Sequence, residues 1–145
     1  MYQSILVPVD GSECARKALA LACQLTKGTQ AALYLLNIPE SPAPDATIGV
    51  GVGAVPLDYA PEEVERNGRA VLEKAQRAIG MQVHDAQLVV RQGQPARVII
   101  DEANRLGVDA VVMGSRGLSD MKGLMIGSVS HKVSHVAPCT VITVH

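Results

Sequence analysis

The residues from Gly114 to Ser130 carry the densest chemistry in the chain: Gly114-Ser115-Arg116-Gly117-Leu118-Ser119-Asp120-Met121-Lys122-Gly123-Leu124-Met125-Ile126-Gly127-Ser128-Val129-Ser130. Phosphate binding needs exposed backbone N–H groups, small residues that admit close approach, and the positive end of a helix dipole. Gly114, Gly117, Gly127, Ser128 and Ser130 supply the first two, and a helix expected to begin beside Val129 supplies the third. Two cations, Arg116 and Lys122, oppose the single anion Asp120, although the whole chain carries a net charge of −1. The stretch is therefore suited to an anion. A flexible connection ending in a Ser128 helix cap is the simpler alternative.

A second chemical group follows the first apolar run, at Asp10-Gly11-Ser12. Asp and Ser both cap helices, so Asp10 can begin the following helix, contact a ligand, or do both; the double role is the preferred expectation. Other candidates are weaker. His131 and His135, four apart, could share a helix face, but no local Cys, Asp or Glu completes a metal site, and a solvated pair is expected. Gly49-Val50-Gly51-Val52-Gly53 neither directly follows a strand nor opens a helix, as a dinucleotide fingerprint must; it reads as a mobile flap. No Gly-x-x-x-x-Gly-Lys-Ser/Thr run is present, and no Ser/His/Asp order suggests acyl transfer.

Positioning these loops requires a scaffold, and the hydrophobic pattern describes one. Ile5-Leu6-Val7 with Val9 reads as a strand, and Ala15, Ala18, Leu19, Ala22 and Leu25 as one face of a helix stopped by Gly28. Ala31 to Ile38 is a second strand. Residues 39–60, with four prolines and three glycines, have loop composition. A helix follows from Pro61 to Ile79, with Val64, Val71, Leu72, Ala75 and Ile79 on one face, ended by Gly80. His84 to Arg91 is a third strand. Gly93-Gln94-Pro95 opens a helix bearing Ile99, Ile100, Ala103 and Leu106, capped by Gly107. Ala110 to Met113 is a fourth strand, Val129, Val133 and Val136 mark a fourth helix, and Thr140 to Val144 is a fifth strand.

The order βαβαβαβαβ with strands apolar on both faces predicts one α/β domain over residues 1–145, a doubly wound parallel sheet with helices on both sides. Ligands in such sheets bind beyond the strand carboxyl ends, where neighbouring connections diverge. The loops after the first and fourth strands serve one site only if those strands are adjacent. That favours strand order 3-2-1-4-5, although periodicity leaves 2-1-3-4-5 open. Pro8 conflicts with a regular first strand, since proline cannot donate to a ladder; pairing is expected to end near Val7.

Composition removes several functions. The aromatics are three tyrosines, Tyr2, Tyr34 and Tyr59, with no Phe or Trp, so the base-stacking platform of a single-stranded nucleic-acid binder cannot be built. Near-neutral charge offers no field for phosphate backbones or anionic lipid. The N-terminus does not read as a secretory signal, and Ala46 to Leu57 is too short to span a bilayer. Cys14, Cys23 and Cys139 are odd in number and lack Cys-x-x-Cys spacing, which reads as reduced thiols and a cytoplasmic location.

The spacing Gly114, two residues, Gly117, nine residues, Gly127-Ser128 resembles the nucleotide-binding signature of the universal stress protein family. The resemblance extends to Ile5-Leu6-Val7-Pro8-Val9-Asp10-Gly11-Ser12, to Gly93-Gln94-Pro95 and to Ala137-Pro138-Cys139-Thr140-Val141-Ile142, and it points to the ATP-binding branch. It implies that Asp10 contacts adenosine and that the backbone around Pro8, Val9 and Ile38 receives adenine. It further implies that Gly114 and Gly117 let the chain approach ribose and phosphate, and that Gly127, Ser128, Val129 and Ser130 hold phosphates bridged by Mg²⁺; Arg116, from its charge, is expected in the same site. Dimerisation through Thr140 to Val144 is also implied. Thr140 departs from the usual proline, and residues 39–60 follow no family pattern. The resulting expectation is an ATP-dependent stress-response regulator that engages a protein partner. The alternatives are a slow ATPase or self-phosphorylating protein using Ser128 or Ser130, and an interaction module that binds AMP or cyclic AMP.

Overall fold

The computed structural model describes residues 1–39, 60–82, 85–118 and 127–145. Strands and helices alternate through them: β1 Ser4–Pro8, α1 Glu13–Thr26, β2 Ala32–Asn37, α2 Pro61–Ala78, β3 Gln87–Val90, α3 Pro95–Leu106, β4 Ala110–Gly114, α4 Ser128–Val136 and β5 Thr140–Val144. The five strands form one parallel sheet of order β3-β2-β1-β4-β5. Of the two orders open to the sequence, this is the one that brings the chemically rich loops together.

Successive strand residues face opposite sides, so each central strand feeds two cores. Ile5, Val7 and Val9 join Ala110 and Val112 beneath Ala15, Ala18, Leu19 and Leu72 of α1 and α2. Leu6, Leu36, Val111 and Met113 join Ile99, Ala103 and Val133 of α3 and α4 on the other face. β1 and β4 are thus buried on both sides, which is why their sequences are unbroken apolar runs. Because α1 and α4 leave neighbouring strands on opposite faces, a crevice opens at the carboxyl ends of β1 and β4.

Pro8 sits within β1, and pairing does not end at Val7 as expected. Pro8 is in register with Leu36, and Val9 N–H donates to Leu36 O at 2.8 Å. On the other side, β1 pairs with β4 only at Ile5↔Ala110 and Leu6↔Val111. Donors alternate in direction along a strand, so with Val9 N–H turned to β2 the missing donor of Pro8 faces β4, where the ladder has already opened. The proline therefore costs no bond and marks the split.

Other departures are local. On α2 the buried residues are Val64, Gly68, Leu72, Ala75 and Gln76, with Val71 turned partly outward and Gly68 and Gln76 unforeseen. Val129, Val133 and Val136 do mark α4, of which only Ser130 and Val133 are buried, and Val136 is 56% exposed. β3 is shorter than His84 to Arg91, and His84 lies outside the described residues, as do most of the 39–60 loop and the Gly49–Gly53 run. Gly107 does cap α3: at φ 61° it adopts the left-handed conformation, and Val108 N–H closes back onto Ala103 O at 3.2 Å.

Candidate functional site

The loop after β1 is organised by two side chains rather than by Asp10 alone. Ser12 is the N-cap of α1, its Oγ accepting from Ala15 N–H at 3.2 Å. Asp10 Oδ1 accepts from Ser12 N–H at 2.8 Å, and its Oδ2 accepts from Leu118 N–H at 3.2 Å. The cap anticipated for either residue falls to Ser12. The Asp10 carboxylate instead ties the loop after β1 to the loop after β4, holding both walls of the crevice at a fixed separation.

The loop after β4 is closed at its base by Ser115, which is 1% exposed. Its N–H donates to Val144 O at 2.8 Å, and its carbonyl accepts from Gly127 N–H at 2.7 Å and from Ser130 Oγ at 2.9 Å. Ser130 Oγ also lies 3.0 Å from Gly127 O. One hydroxyl proton is thus shared between two carbonyls, and Ser130 is buried. This differs from the expected use of the Ser130 hydroxyl on phosphate: the side chain clamps the two ends of the loop. The N-cap of α4 is Gly127, not Ser128, and makes no side-chain cap bond. His131 N–H reaches Gly127 O at 3.0 Å, so the N–H groups of Ser128, Val129 and Ser130 lack intrahelical acceptors. These residues line the crevice at the positive end of the helix.

A cleft of about 350 Å³ occupies this position, within the range of small-molecule sites of roughly 300–1,000 Å³. All eleven residues expected at the site line it: Pro8, Val9 and Asp10 at the end of β1 and beyond it, Ile38 after β2, Gly114 at the end of β4 with Arg116 and Gly117 following, and Gly127, Ser128, Val129 and Ser130 at α4. Lys122 and Asp120 lie outside the described residues. One end of the cleft is polar, formed by Arg116, Ser128 and the α4 N-terminus. The other is aliphatic, walled by Val9, Leu36, Ile38 and Val71. Tyr34 is not at this wall; it packs into the core under α3 and α4.

Several lining residues were not legible in the sequence. Asn37, Asn67, Gly68, Val71, Pro95 and Ser115 all reach the cleft. The available signal for Asn37 was a lone amide ending an apolar strand, and for Gly68 a glycine inside a helix, which is unfavourable unless packing requires it. Gly114 also differs in its reason. A Cβ there would stand 2.7 Å from Cys14 Cβ, 2.9 Å from Cys14 C and 3.0 Å from Ala15 N, so the residue is small to let α1 cross β4.

Among the described lining residues the ionisable groups are Asp10 and Arg116. Both Asp10 oxygens accept backbone N–H groups. The arrangement is built to hold an anion with an apolar body attached, more than to move protons. The histidine pair lies apart from the cleft: the His131 and His135 rings meet edge to face at 4.3 Å, and His135 Nδ1 donates to His131 O at 2.8 Å.

Comparison with known proteins agrees with this geometry. The chain is 36% identical over 147 residues to the universal stress protein YxiE of Bacillus subtilis, covering 99% of each chain. It is 33% identical to the stress response protein NhaX of the same organism, over 97% of this chain and 96% of that one. Among solved structures it superposes on the universal stress protein UspA from Lactobacillus plantarum with a TM-score of 0.76, at 25% identity over 99% and 98% of the two chains. A universal stress protein solved in complex with cAMP matches with a TM-score of 0.66, at 25% identity over 99% and 97%. The profile of the Universal stress protein family matches residues 1–145. With the sheet order and the cleft at its switch point, this places the chain in the universal stress protein family.

Proposed function

We propose that the protein is an ATP-binding regulator of the stress response, which holds adenosine at the aliphatic end of the cleft and phosphates at the α4 N-terminus. The observation that carries this reading is that three helical N–H groups without intrahelical acceptors belong to residues that line, with Arg116, one end of a cleft whose other end is apolar. A polyphosphate suits the first and a purine suits the second. Mg²⁺ would be carried on phosphate oxygens, since the one carboxylate among the described lining residues, Asp10, already accepts two N–H bonds. When bound, the ion neutralises phosphate charge. The chain's own groups orient the ligand: Arg116 and the α4 backbone hold the phosphate end, and Val9, Ile38 and Val71 exclude water from the base.

Occupancy is read out through the loops that Asp10 and Ser115 tie together. Ser115 N–H is bonded to Val144 of β5, the exposed edge strand through which we place a homodimer at Thr140–Val144 and a surface for a regulated protein partner. The three unbridged cysteines fit a cytoplasmic setting, and no helix among the described residues is long and apolar enough to cross a membrane. Acid release of small molecules from fresh protein, followed by chromatography and mass spectrometry, tests the proposal. Adenine nucleotide should be recovered, and added ATP with Mg²⁺ should raise the melting temperature. If no nucleotide is recovered and ATP leaves the melting temperature unchanged, this reading fails.

A module for AMP or cyclic AMP is a second reading, favoured by the relative solved in complex with cAMP. Competition among ATP, ADP, AMP and cyclic AMP separates the two. A slow ATPase or self-phosphorylating enzyme has less support, because Ser130 Oγ is held by Ser115 O and Gly127 O.

A further inference from the structure

Gln76 of α2 is 1% exposed, and neither its Nε2 nor its Oε1 has a hydrogen-bond partner among the described residues. Its position sharpens the anomaly. α2 ends in a Schellman motif: Gly80, at φ 70°, donates its N–H to Arg77 O at 3.1 Å, and Met81 N–H donates to Gln76 O at 2.9 Å. The two residues joined by that second bond ordinarily pack apolar side chains on each other. Met81 meets the requirement, lying against the core with its Sδ 3.7 Å from Cys23 Sγ of α1. Gln76 does not, although Leu72 one turn earlier is fully buried. The C-terminal turn of α2 therefore buries an amide where both burial and the local motif call for a hydrocarbon. A buried amide without a partner forfeits its hydration with nothing in return.

We propose that the C-terminal half of α2, the turn through Met81 and the edge strand β3 form a unit that opens locally while the rest of the sheet stays folded, and that Gln76 sets how readily it opens. Opening gives the amide water, so the closed state carries a cost that the open state lacks. The surroundings make the unit separable. β3 has four residues, pairs with β2 alone, and buries one of them, Val90. By contrast, β1 and β4 are held between two cores. The opening bears on the cleft, because the Val90 methyls close on Gly68 and α2 lends Asn67, Gly68 and Val71 to the cleft wall. One wall of the cleft thus loosens while the loops after β1 and β4 stay in place, whatever the cleft binds.

Hydrogen–deuterium exchange of the full chain, resolved by peptide and repeated in low urea, tests this in the wild type, Gln76→Leu and Gln76→Met. In the wild type, amides of the C-terminal half of α2 and of β3 should exchange ahead of those in α1, β1 and β4. Their exchange should also depend less on urea, because a local opening exposes less surface than global unfolding. Both variants put a hydrocarbon of similar size in place of the amide and should slow exchange in this unit about ten- to a hundredfold. Exchange of the unit only together with β1 and β4, at the urea dependence of global unfolding, would overturn the proposal. So would early exchange that the variants leave unchanged or accelerate, since the amide would then stay buried through the opening or be served by an internal water. Failure of both variants to fold would equally overturn it, by showing that the amide has a partner that outweighs its burial.

Discussion

Glu102 shows how a single residue can be legible in type yet not in role. Its side chain is 7% exposed, and it is held by Arg105 at 2.6 Å and Arg91 at 2.9 Å, joining α3 to the end of β3. Burial by itself would raise its carboxyl pKa, but the hydrogen bonds from Arg105 and Arg91 and their charges outweigh burial and hold it below the ordinary value. A folded pKa below the unfolded one gives stability that is complete above the unfolded value and is lost as pH falls through the folded value. Urea midpoints should therefore decline on acidification through and below the usual carboxylate range. Glu102→Gln should be less stable than wild type at neutral pH and show a shallower acid slope; an unchanged slope would mean that other carboxylates dominate. Asn37 belongs to this scale too, since nothing in its neighbours' pattern distinguishes a strand-ending amide buried at a cleft from one facing solvent.

At the scale of elements, the contact between α1 and β4 depends on the absence of one methyl group. Gly114 meets backbone atoms of Cys14 and Ala15, which cannot rotate aside, whereas a Cβ at Gly68 would meet the methyls of Val90. Gly114→Ala should consequently destabilise the protein by about 1–3 kcal/mol through overpacking, measurable as a reduced urea midpoint. Any loss of nucleotide binding in that variant would reflect displacement of α1, so it is a poor probe of ligand contact. The cap of α1 offers a cleaner comparison. Ser12→Ala removes the acceptor of Ala15 N–H and should cost about 1 kcal/mol with the core packing intact, again read from chemical denaturation.

For the molecule as a whole, β5 presents the consequential surface. Thr140 N–H reaches Asp109 O, and Val144 O accepts from Ser115 N–H, so Val141 and Thr143 direct their polar backbone groups to the open edge, because donors alternate along a strand. An unpaired edge is a template for another strand. On the proposed dimer, sedimentation should give twice the chain mass for the wild type. Thr143→Pro removes a donor on the open side without removing one from the β4 ladder, and should sediment as a monomer with unchanged helical circular dichroism. A variant that remains dimeric by sedimentation would place the interface elsewhere.

How much of this was legible follows from what each sequence signal encodes. Hydrophobic period reports the face a residue turns towards its own element's neighbours, so the alternation of elements, the parallel two-sided sheet and most core residues could be read directly. Glycine and serine spacing reports local backbone, so the eleven candidate residues could be named, and they meet in one cleft. The demand that two loops serve one site was enough to favour the observed strand order. Only tertiary structure decided which atoms are free. Pro8 is tolerated because β4 has already parted from β1, Ser130 spends its hydroxyl on Ser115, and Gly114 is bare because α1 crosses it. Asn37 can be buried at the cleft because Gly68, thirty-one residues later, comes to lie against it without a side chain. Each of these depends on contacts between segments distant in sequence, which a local pattern does not contain.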